Sequence, residues 1–251
     1  MTTVYDDHWE KLNEINRTAR PAKNAYHRKP PTISIDMQKQ MTNEYSKMIT
    51  TLSRFKRFKK FLQHVKIRIR FFDDSDLDNL IEFGYPHTIK NIICLPIELY
   101  SGWNTETRVK LLIHESIHIY QRYFPFEFNK LLTDEFDLTV IDFSTKLHPN
   151  SRFNPDINDI VYDDDGMYRV MVYKSTNPRN LADSKLLEKR ISPKSRESNY
   201  AKIMTHYKHR HVQKEHPYEV FACILSEYMC NLKISCSCNS CDIITKWLQK
   251  L

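Results

Sequence analysis

Glycine is scarce in this chain: its 251 residues include three, Gly84, Gly102 and Gly166. No phosphate-cradling loop or dinucleotide fingerprint can be assembled from that supply, which excludes the common nucleotide-binding classes. Long hydrophobic runs are missing as well. The longest, Ile92-Ile93-Cys94-Leu95-Pro96-Ile97, is far too short to cross a bilayer, so no membrane partner is expected. The opening residues, Met1-Thr2-Thr3-Val4-Tyr5-Asp6-Asp7, have neither a basic start nor an apolar stretch. No secretory signal is read there, and a soluble intracellular protein is the expectation.

What remains is enough for a substantial core, since 41% of the residues are hydrophobic. The net charge of +7 is uneven. Residues 1–72 hold sixteen Lys and Arg against six Asp and Glu. They read as a basic N-terminal helix/strand region, and residues 73–251 as the region bearing the chemistry, ending in a cysteine-rich tail. The two together make one compact unit. A basic lobe can face nucleic acid, but without a recognition motif a solvated basic face is the favoured reading.

Apolar residues at spacings of three and four predict one helix from 36 to about 64, capped by Asp36. Val65-Lys66-Ile67-Arg68-Ile69-Arg70-Phe71 alternates as a half-buried strand does. A short helix is read after Asp76, then a strand over 88–95 and a helix over 105–123 capped by Asn104 and stopped by Pro125. Helix is expected again over 126–143. Residues 163–166, Asp-Asp-Asp-Gly, read as the turn of a hairpin rather than as a calcium loop. Residues 174–199 read as loop. A helix over 217–231 and an amphipathic end around Ile243, Ile244, Trp247 and Leu248 complete the pattern.

Within the helix over 105–123 lies His114-Glu115-Ser116-Ile117-His118, an H-E-x-x-H motif. Residues four apart share one helix face, so both imidazoles can reach one Zn²⁺ at about 2.0–2.1 Å. Glu115 is rotated about 100° from His114, a position from which a carboxylate can take a proton from a water at the metal. Chance would produce the five-residue pattern only roughly 0.03 times in a chain of this composition. The extended metzincin form needs glycine at 121 and histidine at 124; Gln121 and Phe124 exclude it.

A catalytic zinc site usually takes a third protein ligand and leaves one position open. Glu219 is the preferred ligand. Pro217 suits a first helical position, so Glu219 falls in the first turn, and small Ala222 allows close approach to the metal helix. Glu135, Asp137 and Glu227 are its rivals.

The segment His114-Glu115-x-x-His118-x-Tyr120-Gln121-Arg122, with Asn154-Pro155-Asp156 and His216-Pro217-x-Glu219-x-x-Ala222, resembles the Glu-ligated zincin (gluzincin) metallopeptidases. It looks especially like the zincin-like proteins of large double-stranded DNA viruses. The resemblance implies that His114, His118 and Glu219 hold zinc and that Glu115 activates water for cleavage of a protein or peptide. It also implies an α+β fold, a small mixed sheet packed on the H-E-x-x-H helix with additional helices. The strand over 88–95 would be an edge that pairs with substrate, and the location would be host cytoplasm or virion. The alternative is a non-catalytic virion or scaffold protein that keeps a zinc-binding zincin fold.

An oxyanion stabiliser is expected beside the zinc, with Tyr168, Tyr200, His206 and His216 as candidates. Cys230, Cys236, Cys238 and Cys241 could hold a second, structural zinc, or stand as thiols. Cys94 and Cys223 read as small buried hydrophobes.

Overall fold

The computed structural model describes residues 31–72, 85–148, 150–152, 154, 156–157, 159–174, 183–193, 198–207, 214–231 and 239–250. The short helix read after Asp76 lies outside these residues, as do Cys236 and Cys238.

Helix α1 (Ile35–Ser53) starts at Ser34, whose hydroxyl accepts from the Met37 N–H at 3.2 Å. Asp36 therefore sits in the first turn and is not the cap. Met41, Glu44, Met48 and Leu52 form its buried stripe. The single helix expected to run to 64 is broken, because Phe55 adopts an extended backbone that turns its ring into the core. Helix α2 (Lys56–His64) follows and buries Phe58 and Phe61, leaving Lys56, Lys59 and Lys60 exposed.

Strand β1 (Arg68–Phe72) pairs in parallel with β3 (Ile92–Pro96), and β2 (His87–Ile89) pairs antiparallel with β3. This mixed sheet has the order β1-β3-β2. The strand expected over 88–95 is thus a hairpin, turned at Lys90, whose φ is +54°. Its second arm, β3, is the central strand and not an edge. The edges are β1 and β2, and the outward-facing backbone of Thr88 in β2 is already occupied. Thr88 donates its N–H to Asp156 Oδ1 at 2.7 Å, and its carbonyl accepts from Arg122.

After α3 (Ile97–Ser101), Asn104 caps α4 (Thr105–Tyr123) by accepting from the Thr107 N–H at 2.9 Å, as expected. Helix α5 (Pro125–Lys130) runs into a π-helical turn, Leu131–Glu135. Helix was expected to 143, but Asp137 takes a left-handed backbone (φ 61°) and the chain leaves as β4 (Thr139–Phe143). Helix α6 (Ser144–Leu147), β5 (Ile160–Asp163) and β6 (Met167–Tyr173) come next. The hairpin between β5 and β6 turns at Gly166, where φ is 83° and an added Cβ would meet the Ser192 carbonyl oxygen at 2.4 Å. No other residue type fits there without a shift of backbone. Strand β7 (Ser184–Arg190) occupies a stretch read as loop. Its sequence is mostly charged, and seven-residue pairing with β6 makes it a strand. The second sheet is antiparallel, in the order β4-β5-β6-β7.

Helices α7 (Asn199–His206), α8 (Pro217–Asn231) and α9 (Asn239–Gln249) close the described chain. The protein is a mixed α+β molecule with two small sheets. One hydrophobic core joins α1, α2 and β1 to α4, α8 and α9, so the basic N-terminal segment from 33 onward shares the core of the rest. A smaller cluster of Val161, Tyr168, Val170 and Val172 lies under the second sheet. Between α1 and α4 sits a buried polar group: Arg108 Nε donates to Glu44 Oε1 at 2.8 Å, and the Tyr100 hydroxyl donates to the same carboxylate. Paired in this way, Glu44 and Arg108 avoid the cost of an isolated buried charge. Among the described residues no helix is long and apolar enough to cross a membrane.

Candidate metal centre

Helix α4 is buried around most of its circumference between Leu112 and Gln121, because α1 covers one flank and α8 another. Ser116 lies against Met48 of α1, and fully buried Ala222 belongs to the opposing α8. In that setting His114 and His118 face the same way. Their Nε2 atoms are 3.0 Å apart. Glu219, in the first turn of α8, brings Oε2 to 3.5 Å from His114 Nε2 and 3.4 Å from His118 Nε2. Bonds of about 2.0–2.1 Å at tetrahedral angles hold ligand atoms roughly 3.3–3.4 Å apart, so the triangle has the right size for one small cation. Among the described residues this is the one group of three His, Cys, Asp or Glu that comes together in this way.

Each corner is aimed by a neighbour. Gln121 Nε2 donates to the Tyr218 carbonyl at 3.0 Å, which turns its Oε1 towards His118 Nδ1 at 2.9 Å. His118 then donates from Nδ1 and keeps a lone pair on Nε2 for the triangle. Gln121, which in the sequence only excluded one family branch, thus positions a candidate ligand. Asn154 Nδ2 donates to Glu219 Oε1 at 2.8 Å, leaving Oε2 for the histidines. The same amide nitrogen donates to Glu215 Oε1 at 2.6 Å, and Arg152 pairs with Glu215 at 2.8 Å. If the triangle holds a cation, Asn154→Ala is expected to weaken its affinity about 10- to 100-fold, read with Zn²⁺ in a chelator-competition titration. Unaltered affinity would mean that this hydrogen bond does not orient Glu219.

The electrostatics follow from burial and mutual charge. Burial acts to raise the Glu219 pKa, but His118 and His114 outweigh it and hold the carboxyl well below its usual range. Burial acts to lower both histidines. Cys223 and Glu219 overcome it at His114, and Glu219 and Asp156 overcome it at His118, so both pKa values rise. Glu115 is pushed up to about 8 by burial and by Asp156, against the pull of the two histidines. Its Oε2 is buried and has no hydrogen-bond partner among the described residues. An orphaned carboxylate oxygen beside a ligand triangle is a place for a water or a cation-held group.

His114, Glu115 and Glu219 open onto a cleft of about 1270 Å³. Its walls include Leu99 and Trp103 on one side and Met171 and Leu186 of the second sheet on another. Asn154, Asp156 and Cys223 also line it. Cys223 is only half-buried and bonds to His114, so it is not the inert hydrophobe expected. Of the rival ligands, Asp137 accepts from the Asn199 N–H at the start of α7, and Glu135 is exposed beside it. Glu227 pairs with Lys110 farther along the cleft.

None of the four oxyanion candidates is among the residues lining the cleft. Tyr168 meets His148 under the second sheet, and Tyr200 stacks on Phe221 in the core. His206 packs on Tyr207. His216 has both ring nitrogens engaged, by the Ile160 carbonyl and the Tyr218 N–H, and burial lowers its pKa to about 4. Tyr207, not singled out by its sequence context, does line the cleft. Of the four tail cysteines, Cys230 is half-buried in α8 and Cys241 buried in α9. No cysteine belongs to a metal-sized group among the described residues. No protein-family model, curated protein or solved structure matches the chain.

Proposed function

We propose that the protein is a zinc-dependent peptidase. The observation that carries this reading is the convergence of His114, His118 and Glu219 beside the unsatisfied carboxylate of Glu115, at the wall of a large cleft. Two imidazole nitrogens and one carboxylate oxygen suit Zn²⁺, and three protein ligands leave a position for water or substrate. A zinc ion held there supplies Lewis acidity, polarising a carbonyl and lowering the pKa of a water. The chain's own residues do the rest. Glu115 takes a proton from the attacking water and returns it to the leaving amine. Asn154 and Gln121 hold Glu219 and His118 in their ligating orientation.

The test is metal content together with turnover. The purified chain is expected to carry about one zinc per molecule, and to lose cleavage of fluorescein-labelled casein on chelation and regain it with added Zn²⁺. Protein that binds no zinc, or that cleaves casein equally well without it, would sink the proposal.

A further inference from the structure

We propose that the outer face of α2 and α9 is a binding surface for single-stranded nucleic acid, separate from the metal centre. No residue of either helix lines the cleft. Residues 54–72 carry eight Lys and Arg and no Asp or Glu. By itself such a run reads as a solvated face; folding gives it a definite shape. Lys56, Lys59, Lys60 and Gln63 recur at spacings of three and four, so they form the exposed stripe of α2, opposite buried Phe58 and Phe61.

Helix α9 extends that stripe from the far end of the chain. Arg57 donates from Nε to the Trp247 carbonyl at 2.9 Å, and its guanidinium lies 4.5 Å over the centre of the Trp247 ring. Docked in this way, α9 brings Lys250 to a shallow hollow that Lys60 also lines. Lys246 lies one helical turn before Lys250, and both are exposed. Glu127, in the same hollow, is already paired with Arg57. Among the described residues none of the five lysines has an ion-pair partner, so their charges are available to a polyanion. Two rings complete the surface. Phe124 and Glu127 line the hollow, and the residues next to them in the chain, Tyr123 and Phe126, are 45% and 80% exposed. Lysines in a row with bare rings alongside suit a single strand: phosphates meet the ammonium groups and unpaired bases stack on the rings. In a duplex those base faces are already stacked on one another. An anionic membrane is the poorer match, because the apolar side of α2 is buried in the core and has no area left to place among lipids.

The test measures binding of the full chain to a fluorescein-labelled oligodeoxythymidylate of about 20 nucleotides by anisotropy over a range of salt concentrations. At about 0.7 per phosphate neutralised, five lysines give a slope of log K against log salt of about −3.5. Lys56→Gln with Lys60→Gln should make that slope shallower by about 1.4. Lys185→Gln with Lys189→Gln, the same change of charge on exposed positions of β7, should leave it unaltered. Phe126→Ala should weaken binding about 5- to 100-fold with the slope retained. The proposal falls if the chain does not bind the oligonucleotide at low salt, if the two double variants lose alike, or if Phe126→Ala binds as the parent does. Equal or tighter binding of a mixed-sequence duplex would assign the surface to backbone charge alone. Tighter binding to vesicles of phosphatidylcholine and phosphatidylserine would assign it to a membrane. Either result overturns recognition of a single strand.

Discussion

Replacing Glu115 by glutamine is expected to leave zinc content unchanged while lowering casein turnover by roughly 10²- to 10⁴-fold, the usual contribution of a positioned general base. Glu115 is not at a corner of the ligand triangle, so the metal does not depend on it. The exchange is nearly isosteric and removes a charge that burial and Asp156 already disfavour, so the fold has little to lose. Burial and Asp156 push the carboxyl up to about 8 in the metal-free molecule. A cation at the triangle would pull it back towards the basic carboxylate. Turnover by Glu115→Gln equal to the parent would end the mechanism. Zinc bound by a parent that does not turn casein over would instead leave a zinc-binding protein of non-catalytic role.

Stripping the metal is expected to lower the melting temperature by about 10 °C. His114, His118, Glu115 and Glu219 are crowded into one site, with Asp156 and Glu215 close behind. Without a cation, His114, His118 and Glu219 face one another with only their mutual contacts and the hydrogen bonds of Asn154 and Gln121 to hold them. Zinc at about a thousand times its Kd contributes roughly 4 kcal/mol to the folded state, and in a chain of this size each kcal/mol moves the midpoint about 2–4 °C. Glu219→Ala should abolish the zinc-dependent part of the shift, because two histidines alone make a weak site. Thermal scans with chelator and with excess Zn²⁺ read both effects. Coincident scans for the parent protein would show that nothing at the triangle binds a cation tightly.

Much of the local structure was legible because it depends on near neighbours in the chain. Asn104, the apolar periodicity and Pro125 delimit α4, and the acidic turn ending in Gly166 delimits the β5–β6 hairpin. Local pattern and structure differ where a distant partner overrides local preference. Phe55 breaks an otherwise continuous helical pattern because its ring is needed in the core. Strand β7 has no strand-like alternation to read, since one face meets the cleft, the other covers a small cluster, and pairing with β6 alone defines it. The hairpin at Lys90 leaves little local mark, because neither residue of its turn is a glycine.

The same division runs through the site. H-E-x-x-H determines by itself that two imidazoles and a carboxylate share one turn of helix, because a spacing of four returns to the same face. Glu219 was a preference among acids, and the tertiary structure alone brings its Oε2 within 3.5 Å of both histidines. Asn154, Gln121 and Asp156 acquire their roles from where the second sheet, α8 and β2 come to rest against α4. Nothing local marks an asparagine that aims a carboxylate on another element: its meaning is a hydrogen bond across 65 positions of chain, and only packing brings the two ends together.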